Sequence, residues 1–338
     1  AVIAKETPSR LPVFFPGQAG RYLPEFKIHH ARTGRLIDLL LDPVAVTKIA
    51  LAQLERFDVD AVLVPHDSVL LWHGLGIETD LDVRDHSRLC RSIPEAGDIG
   101  VTTTHGLGTR LEPYYHALID IRKQLPSDVP LIGTSPCPFT LVSILLGRGV
   151  MPPPEVSRVA ALSDQPRFMA MLDIAEHLVI DHLLYQIRAG AQAVVLAGPS
   201  ATGLAPEHLD RFALTSLRKV VLSIHDKFAR ALVIGQPDID GLMLPTYLAV
   251  STVDAVIPPP RIQRDWLARH LKPLTTIIGN LDPVLVEVGG EAMVSGARAI
   301  LNRLNGGPFM FSTGANLTDR TPPHHIARLI RMVREWTP

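Results

Sequence analysis

Seven short, almost wholly apolar runs constrain this chain most: residues 60–64, 130–133, 193–197, 231–235, 255–257, 275–278 and 309–311. Each ends at a polar residue, a glycine or a proline. Runs this short and this continuous suit parallel strands buried on both faces, because a strand with one wet face would alternate apolar and polar residues. A weaker eighth run covers residues 99–103. Between the runs the period becomes helical. Phe168, Met171, Leu172, Ala175, Leu178, Val179 and Leu183 form one apolar stripe. Pro206 with Glu207 and Asp210 marks a helix start, with acids suited to the positive end of the helix dipole. A last helix is predicted from about 323 to 336, with Ile326, Leu329, Ile330 and Val333 turned inward. Strand–helix alternation repeated about eight times predicts an α/β fold, a (β/α)8 TIM barrel. An open doubly wound sheet is the alternative. No G-x-G-x-x-G turn follows an early strand, which counts against the nucleotide-binding form of that sheet.

The chain has 338 residues, a size that barrels of this type commonly fill as a single domain spanning 1–338. The proline clusters Met151-Pro152-Pro153-Pro154 and Pro258-Pro259-Pro260 are stiff loops too short to be tethers. A hydrophobic content of 46% with 20% charged residues is that of a globular protein. The formal net charge of −1 offers no electrostatic attraction for nucleic acid or an anionic membrane. No apolar run approaches the roughly 20 residues of a membrane span, and residues 1–10 lack the pattern of a signal peptide. With Cys90 and Cys137 as the two cysteines, a reducing, cytoplasmic setting is expected rather than a disulfide framework.

In barrels of this kind, functional groups stand past the C-terminal ends of the strands. Those ends read Pro65-His66-Asp67, Thr134-Ser135-Pro136-Cys137, Gly198-Pro199-Ser200, Gln236-Pro237-Asp238, Pro258-Pro259-Pro260, Gly279-Asn280-Leu281-Asp282 and Ser312-Thr313-Gly314-Ala315-Asn316. Asp67 is the leading catalytic candidate. A carboxylate just past a buried strand is desolvated unless something pairs with it, so it can orient N–H donors or stabilise a cation. Capping the next helix is the plainer reading of the same residue. Near the N-terminus, a glycine-broken loop carries Gln18, Arg21 and Tyr22. Arg21 offers a planar fork matched to a carboxylate. His66 as a second catalytic group and His30 as a substrate contact are candidates because imidazoles bind carboxylates and move protons near neutral pH. Gln18, Ser200 and Asn280 complete the candidate substrate contacts, although Gln18, Thr140 and Asn280 suit shaping loops better than doing chemistry.

The segment QAGRYLPEF (residues 18–26) closely resembles the N-terminal signature of uroporphyrinogen decarboxylases. The resemblance continues through Asp60-Ala61-Val62-Leu63-Val64 leading to Asp67, through Pro138-Phe139-Thr140-Leu141, and through Gly279-Asn280-Leu281-Asp282-Pro283, in the family's order. It implies a TIM barrel that decarboxylates the acetate arms of a tetrapyrrole to methyls in porphyrin biosynthesis, without metal or organic cofactor. It also implies a homodimer. Asp67 matches the aspartate that holds the pyrrole N–H groups and supports the cation formed on ring protonation. Arg21 matches an arginine that grips substrate carboxylates.

The departures concentrate at the strand ends. Pro16-Gly17 stands where the family motif reads Met-Arg, and His30 replaces a further arginine. Ile144 takes the place of an active-site tyrosine, and Ala315 that of a histidine. Gly198-Pro199-Ser200-Ala201-Thr202 replaces an Asp-Ser-Trp-Ala-Gly loop, and Pro258-Pro259-Pro260 a Leu-Asp-Trp segment. An octa-anionic substrate is offset by several cations, each contact contributing roughly 1.5–3 kcal/mol, so a changed substrate in a specialised pathway is an alternative. A non-catalytic tetrapyrrole-binding protein is another. The related cobamide-dependent thiol methyltransferases hold zinc with His-x-Cys and a distant Cys. Neither cysteine here follows a histidine at that spacing, and Val233-Ile234-Gly235-Gln236 stands where the pair is expected.

Overall fold

The computed structural model describes residues 10–16, 20–77 and 106–337. Seven strands pair in chain order into one sheet: β1 (Val62–Leu63), β2 (Leu131–Pro136), β3 (Ala193–Ser200), β4 (Leu232–Asp238), β5 (Ala255–Val256), β6 (Thr276–Ile278) and β7 (Phe309–Met310). Every neighbouring pair is parallel. Each of the seven apolar runs thus yields a strand. The eighth run, 99–103, lies outside the described residues. The N-terminal segment joins the array instead. Val13 bridges Phe311 in parallel, the Phe311 N–H donates to the Pro12 carbonyl at 2.9 Å, and the Asp60 N–H donates to the Val13 carbonyl at 2.8 Å.

Strand side chains alternate between two apolar clusters, as the period of two dictates. One face of the sheet gives Val62, Val64, Val194, Leu196, Val233, Val256, Ile277 and Phe309 to the large core packed under the helices. The other gives Ala61, Leu63, Ile132, Ala193, Val195, Ile234, Ala255, Ile257 and Ile278, which meet Phe14 in a second cluster. Met310 of β7 packs against that same cluster. A flat sheet would hold its first and last strands far apart, so residues from β1 and β7 in one cluster mean that the sheet curls.

The helices follow the sequence pattern. The stripe from Phe168 to Leu183 is buried along the helix Gln165–Arg188. The helix Pro206–Leu209 continues through a π-helical turn, Asp210–Leu214, into Thr215–Lys227. The last helix, Pro323–Glu335, buries Ile326, Leu329, Ile330 and Val333. Its Arg334 donates to the Leu11 carbonyl at 2.6 Å and to Asp60 Oδ2 at 2.7 Å. Asp60 Oδ2 in turn accepts from the Val13 N–H at 2.7 Å. This clasp fixes the N-terminal segment in front of the loop that carries Arg21. Among the described residues no helix is long and apolar enough to cross a membrane.

Candidate active site

Because all seven strands are parallel, the loops after their C-terminal ends share one edge of the sheet. On the β1 side of that edge stands Asp67, buried. Its Oδ2 accepts from Arg21 Nη2 at 2.8 Å. Its Oδ1 accepts from the Val69 N–H at 3.1 Å and from Ser68 Oγ at 3.4 Å. The capping reading of Asp67 holds for one of its two oxygens. One oxygen takes an otherwise orphaned N–H of the helix Val69–Gly74, and the other meets a guanidinium. Arg21 is mostly buried too, and its Nε–H has no hydrogen-bond partner among the described residues. A buried donor left open is costly unless a ligand takes it up.

His66 adjoins Asp67 in sequence, but its ring is packed into a buried aromatic group. Its centroid lies 5.3 Å from that of His182 and 6.4 Å from that of Tyr114. His182 Nδ1 is 2.9 Å from Tyr115 Oη. Burial pushes the His66 pKa down to about 4, against a smaller opposing pull from Asp67. His182 is driven well below the usual histidine range, by burial first and by His66 second. Near pH 7 His66 is neutral, its ring packed against His182 and Tyr114 next to Asp67. His30 lies in the helix Pro24–Thr33, its ring stacked on Phe26 at 5.6 Å. Gln18 lies outside the described residues.

The β3–β5 side of the edge is built differently. A register shift falls between Ala197 and Gly198, where β3 pairs with β4. Gly198 has φ 111°, and a Cβ there would fall 2.0 Å from Thr140 Oγ1 and 2.9 Å from Cys137 Sγ. Only glycine lets the strand end lie this close to the helix Pro138–Leu146. Ser200 follows, its N–H donating to Thr140 Oγ1 at 3.1 Å. A cavity of about 320 Å³ opens here, lined by Thr140, Ser200, Gln236, Asp238, Arg261 and Asn316 among others. Ala315, at the family's histidine position, is also on its wall. Arg261 donates to Asp238 Oδ1. Asn280 is buried beside this region, and its Nδ2 donates to the carbonyls of Pro259 and Ile262, both at 3.1 Å. Both amide hydrogens therefore tie down the loop after β5. Arg261 was not legible as a site residue, although it directly follows the Pro258-Pro259-Pro260 strand end.

Cys137 is buried, with its Sγ 3.3 Å from Thr140 Oγ1. Burial pushes its thiol up to about 11, so it stays protonated near neutral pH. Among the described residues no three His, Cys, Asp or Glu side chains gather as a metal site. Cys90 lies outside the described residues.

A curled parallel sheet with an arginine–carboxylate pair and a polar cavity at its C-terminal edge has the layout on which α/β enzymes build their sites. Comparison with known proteins narrows the class. The family described as Uroporphyrinogen decarboxylase (URO-D) matches residues 1–336. Uroporphyrinogen decarboxylase of Erythrobacter litoralis is 30% identical over 327 residues, covering 97% of this chain and 95% of that protein. The enzyme of Rhizorhabdus wittichii is 30% identical over 335 residues, covering 99% and 96%. Among solved structures, a methyltransferase from Methanosarcina mazei aligns with TM-score 0.80 at 19% identity, over 99% of this chain and 96% of that one. That likeness concerns the fold alone. The chain belongs to the uroporphyrinogen decarboxylase family.

Proposed function

We propose that this chain is a carboxy-lyase that removes carbon dioxide from a carboxylated pyrrole or tetrapyrrole, uroporphyrinogen being the nearest named substrate. The supporting observation is the Arg21–Asp67 pair at the edge of the sheet, in a chain matched to the family over 1–336. Asp67 accepts the pyrrole N–H groups and offsets the cation formed when the ring is protonated. Arg21 holds Asp67 in place with one Nη and offers its open Nε–H to a substrate carboxylate. A charge held in a dry, prepared position stabilises the cationic intermediate more than a mobile one in water. His30, Ser200 and Asn280 are further substrate contacts in this reading, with Gln18 a fourth that lies outside the described residues, and no metal or organic cofactor takes part in it.

The same reading treats residues 1–338 as one domain. The eighth barrel position is then taken by residues 12–14, supported by their hydrogen bonds to Phe311 and Asp60. A cytoplasmic homodimer follows from the family; light scattering on purified protein tests the dimer.

The test is carbon dioxide release from uroporphyrinogen by wild type and by Asp67→Asn. Turnover by the wild type, with a loss of about 100-fold or more in kcat for the variant, supports the reading. Tight tetrapyrrole binding without turnover in the wild type would replace it with a binding protein. Turnover of a different carboxylated substrate would favour a specialised paralogue, which the replacement of the family tyrosine and histidine by Ile144 and Ala315 also favours.

A further inference from the structure

The cavity on the β3–β5 side carries its charge on two residues, Asp238 and Arg261, while Thr140, Ser200, Gln236 and Asn316 line it with neutral hydroxyls and amides. Arg261 Nη1 donates to Asp238 Oδ1, and Nη2 donates to the Ile239 carbonyl at 2.7 Å and to Thr202 Oγ1 at 3.3 Å. A guanidinium has five N–H donors. Three are used here, so the Nε–H and one Nη1–H have no partner among the described residues. The Asp238 carboxylate is weakly held on its other side, by Ser200 Oγ at 3.5 Å. The guanidinium is thus steered by a carbonyl and a hydroxyl, and its charge is met by a single, half-exposed carboxylate.

We propose that Arg261 is a specificity-determining carboxylate anchor on the β3–β5 side of the mouth, and that Asp238 competes with the substrate carboxylate for it. The proposal rests on the carboxy-lyase reading for its substrate. At about 320 Å³ the cavity is at the small end of ligand pockets, so it takes one carboxylate-bearing arm or ring and not a whole tetrapyrrole. A cation here restores part of the positive charge that Gly17 and His30 no longer supply.

The two partners of the pair are expected to have opposite effects. The test titrates uroporphyrin, an octacarboxylate, into wild type, Arg261→Gln, Arg261→Lys and Asp238→Asn at fixed ionic strength, and follows KM and kcat for carbon dioxide release in parallel. Arg261→Gln should weaken uroporphyrin binding and raise KM by about 10-fold or more, with kcat changed far less. Arg261→Lys, with a charge but no fork, should recover part of the loss. Asp238→Asn should tighten binding. A merely structural ion pair would shift Arg261→Gln and Asp238→Asn in the same direction, and that result overturns the proposal. So does unchanged binding in Arg261→Gln, whether or not the wild type turns over. Weakened binding in that variant with no carbon dioxide released by the wild type supports the anchor while removing the carboxy-lyase reading. A wild type that does not bind uroporphyrin at all overturns the anchor.

Discussion

Arg21–Asp67 and Arg261–Asp238 both stand past strand ends on one edge of the sheet, with side-chain exposures of 16% and 7% for the first pair and 45% and 52% for the second. Burial changes what the same chemical pair can do. In the first, both charges are largely withdrawn from water, so losing the contact between them is costly. The pair's burial suits the fixed role proposed for Asp67. In the second, each partner can turn to solvent, so the pair can be exchanged for a ligand at small cost. The β1 side is prepared in advance, and the β3–β5 side is adjustable.

Arg21→Ala should give the largest effect on stability. It removes the guanidinium that meets buried Asp67 Oδ2 at 2.8 Å, and the fold should lose about 3 kcal/mol, read from chemical denaturation. A loss as small as that expected for an exposed pair would erase the distinction between the two sides.

The histidines behind Asp67 give an effect that depends on pH. The folded-state pKa of His66 is depressed to about 4, and that of His182 is depressed in the same direction, whereas an unfolded histidine titrates near 6.5. Between these values the unfolded chain binds more protons, so stability is full above about pH 6.5 and falls as the pH drops toward 4. Each histidine contributes up to about 1.4 kcal/mol per pH unit in that window. Melting temperatures of wild type and His66→Phe, compared at pH 7 and pH 5, check this. The variant should lose less on acidification, and an equal loss would show that His66 is not held neutral.

Ser200→Ala should have the smallest effect. The variant loses a 3.5 Å contact to a half-exposed carboxylate and should change stability by no more than about 0.5 kcal/mol. A larger loss in denaturant would show that the β3–β5 side is more tightly built than its exposure suggests.

The seven strands were legible because burial on both faces leaves an unbroken apolar run, a signal that needs no knowledge of neighbours. Asp67 was legible through its place after one such run. The aromatic group around His66 was not, since Tyr114, Tyr115 and His182 come from helices far along the chain and no local spacing records that they meet. The partnership of Arg261 with Asp238 was hidden for the same reason, each lying after a different strand. The stretch Val13-Phe14-Phe15 was visible as apolar but not as a partner of Phe311. Its pairing with Phe311 depends on the clasp made by Arg334 and Asp60, which only the folded chain brings together.

The ten buried side chains inside the curl, from Phe14 to Ile278, have a consequence for traffic. They fill the concave side of the curled sheet with packed apolar groups. On the proposed reading, substrate enters and product leaves at the strand-end edge. On that reading, product should compete directly with substrate for occupancy.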